Sequence, residues 1–165
     1  VAGIWLGANA APAQAQKSAL YENIRQRESA AWEAALKIWQ WAEPGYQETR
    51  SSKLLADMLE EAGFRIQRKV AGIPTAFTAT LGSGEPVIGI VGEYDALPGL
   101  SQEAVPYRQP RADGSNYGHA CGHHLFGVAS ASAAKVVSTI AARALPIAVA
   151  HASMRDRVRS ASGPG

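Results

Sequence analysis

The stretch "VIGIVGEYDALPG", Val87 to Gly99, decides the fold. Val87–Val91 is an unbroken apolar run, the pattern of a central strand covered on both faces. Glu93 and Asp95 follow where that strand ends. In open α/β sheets ligands bind outside the carboxyl ends of strands, so two carboxylates here are placed for catalysis or metal support. The plainer alternative is a strand-ending turn in which Asp95 only caps the backbone. Taken alone, the stretch leaves both open.

Working outward toward the N-terminus, Gly82-Ser83-Gly84 marks a turn, and a strand is predicted near Ala76–Leu81. Before it, "FRIQRKV" (Phe64–Val70) alternates apolar and polar residues except at Arg68, as a half-exposed edge strand would. A helix is predicted from about Glu48 to Ala62, with Leu54, Leu55, Met58 and Leu59 inward and Gly63 as its stop. Lys17 to about Ala42 is also helix-compatible. Leu20, Ile24, Trp32, Leu36 and Trp39 share a face there, and core packing explains them. Glu43-Pro44-Gly45 breaks that helix.

Toward the C-terminus, residues 99–118 are rich in Pro, Gly and polar residues and are predicted to form a long loop, a frequent seat of function. A small-residue helix from His124 to about Ala142 then packs on the sheet. Helices, strands, loop and helix together predict an α/β layered domain.

The chain has 165 residues, enough for one domain with a real core, and 47% of them are apolar. Its net charge of +2 favours neither nucleic acid nor an anionic membrane. One cysteine excludes an intramolecular disulfide. No stretch is long and apolar enough to span a membrane. The N-terminal "VAGIWLGANAAPAQAQKS" pairs a short apolar run with A-x-A sites, and residues 1–16 are read as a signal-peptide remnant. Periplasmic or secreted location follows from that reading, with a cytoplasmic location as the alternative.

"GHACGHHLFG", Gly118–Gly127, holds three of the four histidines and the only cysteine. Cys121 and His123 are two apart in a glycine-flanked loop, so their side chains converge if the backbone is extended. Thiolate and imidazole together suit a divalent transition metal, zinc being the simplest. A Cys–His nucleophilic dyad and a small buried cysteine among polar loop histidines are the competing readings.

In the order "WAEPGYQETRSSKLLADMLEEAGFRI", "GEYDALPGL", "GHACGHHLFG", the chain resembles the metal-dependent aminoacylase/carboxypeptidase-type amidohydrolase (metallopeptidase) family. That family contains hippurate, auxin-conjugate and aminobenzoyl-glutamate hydrolases. "GEYDALPGLSQ" and "CGHHLFG" are most similar to the aminobenzoyl-glutamate hydrolase branch, and the resemblance spans residues 20–142.

The resemblance implies the incomplete N-terminal part of a zinc-peptidase-like catalytic domain, at residues 17–142, with helices packed on a mixed sheet and without the family's lid or dimerisation domain. It implies Cys121 and His123 as ligands of a two-metal site holding zinc or manganese. Asp95 becomes the acidic residue of the catalytic site that supports a ligand histidine. Glu93 stands where more distant peptidases of the clan carry a histidine ligand. His119 and His124 are neighbours of the ligands.

The implied reaction is hydrolysis of the amide joining an acyl or aryl group to an amino acid, with a small N-acyl amino acid as substrate and homodimers among full-length relatives. The family's catalytic Glu-Glu pair belongs beyond residue 142. Glu60-Glu61 sits instead in the second helix, where a solvated face explains it. Residues 143–165, with Pro146 and Arg155, Arg157 and Arg159, are expected to be an aberrant disordered tail. The expectation is therefore a truncated or frameshifted amidohydrolase, inactive alone. The alternative is a non-catalytic metal-binding fragment or a translated pseudogene product.

Overall fold

The computed structural model describes residues 13–140 and 147–151. Ten elements follow one another: α1 (Ala13–Trp41), α2 (Thr49–Glu60), β1 (Arg65–Arg68), a 3-10 turn (Val70–Gly72), β2 (Phe77–Leu81), β3 (Ile88–Gly92), β4 (Leu97–Pro98), β5 (Tyr117–Gly118), α3 (His123–Ile140) and β6 (Ile147–His151). Of residues 1–16, expected to be a signal-peptide remnant, residues 1–12 lie outside the described residues. α1 begins at Ala13, inside the stretch assigned to the signal remnant.

The main sheet runs β1-β2-β6-β3. β1 pairs antiparallel with β2, β2 antiparallel with β6, and β6 parallel with β3, so the sheet is mixed as expected. α2 lies on β1 and β2, α3 lies on β3 and β6, and α1 packs across both helices. The core forms where these layers meet: Ile38 from α1, Leu55 and Leu59 from α2, Phe77 and Ala79 from β2, Val128, Ala131 and Ala134 from α3, and Ile147 and Val149 from β6. β1 is an edge strand, as its alternation predicts.

Three expectations need correction. β3 is not covered on both faces. It forms the other edge of the described sheet, and Val91 is 51% exposed. An apolar run shows that a strand can be buried, but only the neighbouring elements decide which of its faces is.

The α1 tryptophan face is not core packing throughout. Trp32 is 58% exposed, and Ile24 and Leu36 are also exposed, while Ala34, Ala35 and Ile38 face the core. α1 packs against α3, and Ile24 and Trp32 line a groove between the two helices instead of entering the core.

Residues 143–165 are not all disordered tail. Ile147–His151 enters the sheet between β2 and β3, in register from Leu81↔Ile147 to Phe77↔His151 on one side and from Ile88↔Ile147 to Gly92↔His151 on the other. The run "IAVAH" is short and apolar, which suits a strand with neighbours on both edges. Pro146 and the arginines of residues 152–165 lie outside the described residues.

The long loop is closed by the β4–β5 ladder, Leu97↔Gly118 and Pro98↔Tyr117. Arg111 fastens it to α1. Its guanidinium donates to the Trp39 and Gln40 carbonyls at 3.2 and 2.6 Å and lies 5.2 Å from the centre of the Trp39 ring. The described residues contain no helix long and apolar enough to cross a membrane.

Candidate metal and active site

β3 ends at Gly92, and the chain continues extended through Glu93, Tyr94 and Asp95. Side chains alternate along extended backbone, so Tyr94 goes one way and the two carboxylates the other. Tyr94 is buried in the core, stacks on Phe77 at 6.3 Å and donates its hydroxyl to the Thr75 carbonyl at 2.6 Å. That anchor fixes the direction in which Glu93 and Asp95 point.

Both carboxylates meet His123, the first residue of α3. His123 Nδ1 lies 3.0 Å from Asp95 Oδ1 and 3.2 Å from the Asp95 carbonyl. His123 Nε2 lies 3.1 Å from Glu93 Oε2. All three residues are buried. The helix N-terminus carries the positive end of the α3 dipole, which favours the two negative groups beside it.

Local backbone features put His123 there. The Gly122 N–H donates to the His119 carbonyl at 2.9 Å, and Gly122 adopts φ 87°, a left-handed turn that leads into α3. Gly118 is fixed by close approach, because a Cβ there would lie 1.8 Å from the Leu100 carbonyl oxygen. Farther along α3, Ser130 Oγ donates to the Val91 carbonyl at 2.8 Å and pins the helix to the end of β3.

The remaining candidates separate from this row. Cys121 is exposed. His119 is buried, neither ring nitrogen makes a hydrogen bond of normal geometry, and its ring centre is 5.2 Å from that of His124. Burial, and then the His124 imidazole, push the His119 pKa down to about 4, although the Ile38 backbone pulls the other way. Burial, then His123, also lowers His124. His119 is therefore neutral at neutral pH. Glu60 and Glu61 are exposed at the end of α2, away from the row. Of His151 only the backbone is described.

The donors suit a divalent cation in kind. A carboxylate on Nδ1 fixes the imidazole tautomer and leaves Nε2 as the coordinating atom, the usual support for a metal-bound histidine. In number they are fewer than a closed centre needs. Among the described residues, no group of three or more His, Cys, Asp and Glu side chains converges to hold a metal.

Sequence reasoning missed a second layer behind the row. Glu48 is fully buried, and its Oε2 accepts from the Thr75 hydroxyl at 2.6 Å. Glu43 accepts from the Ser51 N–H and hydroxyl, both at 2.8 Å, and from the Arg50 N–H at 3.1 Å, closing the start of α2. The Glu43 carbonyl in turn accepts from the Ala96 N–H at 2.8 Å. "EPGYQE" reads only as a helix break, because contacts this distant leave no local signal.

No family model matches the chain. It is 46% identical over 101 residues to a subunit of the p-aminobenzoyl-glutamate hydrolase of Escherichia coli, an alignment covering 61% of this chain and 21% of that protein. It is 30% identical over 81 residues to hippurate hydrolase of Campylobacter jejuni, covering 49% and 20%. A dinuclear metal-binding peptidase of the M20 family from Bacillus subtilis superimposes with a TM-score of 0.63 at 23% identity, over 77% of this chain and 35% of that one. The aminobenzoyl-glutamate utilization protein of Klebsiella pneumoniae gives 0.55 at 18% identity, over 80% and 38%. The chain thus spans about a fifth of the length of these curated relatives and about a third of the solved ones. Its mixed sheet and these matches agree: over the matched residues the chain is similar to amidohydrolases and shares the fold of the M20 peptidase.

Proposed function

We propose that this chain forms part of a metal-dependent amidohydrolase that cleaves the amide between an acyl or aryl group and an amino acid, aminobenzoyl-glutamate and hippurate being the model substrates. The observation that carries the proposal is the buried Asp95–His123–Glu93 row at the carboxyl end of β3. His123, with Cys121 exposed nearby in the chain, would contribute to holding a divalent cation, zinc or manganese, together with donors outside the described residues. A bound cation would polarise the substrate carbonyl and lower the pKa of a water. Asp95 holds the His123 ring in place and leaves Nε2 toward Glu93. The imidazole is buried with the two carboxylates, which keeps bulk water from it.

Glu60 and Glu61, the adjacent glutamate pair of this chain, lie exposed at the end of α2 and take no part in the row. Turnover accordingly requires donors beyond the Asp95–His123–Glu93 row. Metal analysis of the purified chain, with release of amino acid from p-aminobenzoyl-glutamate and hippurate, tests the reading. Stoichiometric metal lost in His123→Ala supports it. Metal-free, inactive protein favours a non-catalytic module.

A further inference from the structure

Between Leu20 and Ala35, one stripe of α1 lines a groove of about 630 Å³ against α3. Its walls are apolar on both sides, with Leu20, Ile24 and Trp32 from α1 and Leu125, Val128 and Val136 from α3. Ile24, Trp32 and Leu125 are about half exposed, so nothing among the described residues covers the stripe.

Two charges interrupt this lining. Arg27 and Glu28 stand side by side at the middle of the stripe, and α3 brings no charge to the groove. Arg27 donates to the Asn23 carbonyl at 3.1 Å and to the Asn23 side chain. Among the described residues neither Arg27 nor Glu28 makes an ion pair. A purely apolar occupant would cover the middle of the groove without pairing either charge. The occupant that fits is apolar at both ends, with an acid and a base at its centre in the opposite order.

α1 itself has that pattern. A two-fold axis through the Arg27–Glu28 bond lays a second α1 antiparallel to the first, and each Arg27 then faces the second copy's Glu28. The same register sets Leu20 over Ala35 and Ile24 over Ala31, a large side chain over a small one each time. Ala31 and Ala35 line the same groove, and large-over-small matching lets two helices interdigitate closely. Charge order and side-chain size thus agree on one register.

We propose that the α1–α3 groove is a self-association surface, in which α1 of a second copy docks antiparallel with Arg27 and Glu28 at the two-fold axis. Such a pair is closed and covers Ile24, Trp32 and Leu125. It uses no strand pairing, so it is separable from association through the open β3 edge.

The test is sedimentation velocity of the full chain across the micromolar range, in a Val91→Lys background that suppresses pairing through β3. A monomer–dimer equilibrium is expected there. Arg27→Glu and Glu28→Arg should each weaken the dimer about tenfold or more, because like charges then meet twice across the axis. The double variant Arg27→Glu/Glu28→Arg should restore it, since the pairs re-form with their signs exchanged. Both positions are on the outer part of α1, and circular dichroism checks that the variants fold. Should one single variant fail to fold, the other and the double variant carry the test. A monomer at every concentration would overturn the proposal and leave the groove to another segment or a different protein. Dimers indifferent to both single reversals, or not restored by the double one, would overturn it as well.

Discussion

Two buried glutamates behind the site respond to pH in opposite directions. Burial raises the Glu48 pKa above its ordinary 4.5, the Thr75 hydrogen bond opposes this, and the nearby Asp95 charge adds to it. For Glu43, burial also pushes upward, but the Ser51 and Arg50 hydrogen bonds outweigh it and the pKa is lowered. Glu48 therefore contributes stability that is complete below pH 4.5 and is lost as pH rises through its folded value. Glu43 contributes stability present above pH 4.5 and lost as pH falls through its folded value. Thermal melts should show the Tm of Glu48→Gln, relative to the parent, rising between pH 4 and pH 7. Glu43→Gln should lose about 1 kcal/mol or more at pH 7, and less at pH 3. Equal differences at both pH values would refute the linkage.

At the scale of elements, the site depends on how closely α3 approaches the end of β3. A Cβ on Gly127 would meet the Glu93 carbonyl oxygen at 2.8 Å, and Leu55 Cδ1 and Tyr94 Cβ each at 3.2 Å. In an exposed helix, Gly→Ala gains about 1 kcal/mol from propensity. Here the backbone contact reverses the sign, and Gly127→Ala should cost about 1–3 kcal/mol in chemical denaturation. The same shift should move His123 away from Glu93 and break their contact. A gain in stability would show that α3 can move outward freely. The motif "CGHHLFG" makes this glycine visible, but the strand end it touches lies more than thirty residues back in the chain.

Across the whole molecule, the described sheet leaves apolar surface in the open. Val87 and Val91 are half exposed at the β3 edge. A groove of about 630 Å³ between α1 and α3 is lined by Ile24, Trp32, Leu125, Val128 and Val137, among others. An open apolar strand edge favours pairing with another chain, and a charge placed on it opposes pairing. Val91→Lys should therefore reduce self-association in light scattering while leaving the circular dichroism spectrum unchanged. Unaltered association would shift attention to the groove.

The sequence alone determined the elements and the ancestry. Periodicity placed α2, β1 and β2 within a few residues, because those patterns are local, and three ordered motifs carried the resemblance to the amidohydrolases. It also marked Glu93, Asp95 and His123 as chemistry-bearing. Only the tertiary structure decided which atoms meet. The clamping of His123 between two carboxylates, the insertion of β6 between β2 and β3, and the burial of Glu48 all join residues far apart in the chain. Each is set by how α3 and β6 dock on β3, and packing of that kind leaves no trace in the spacing of neighbouring residues.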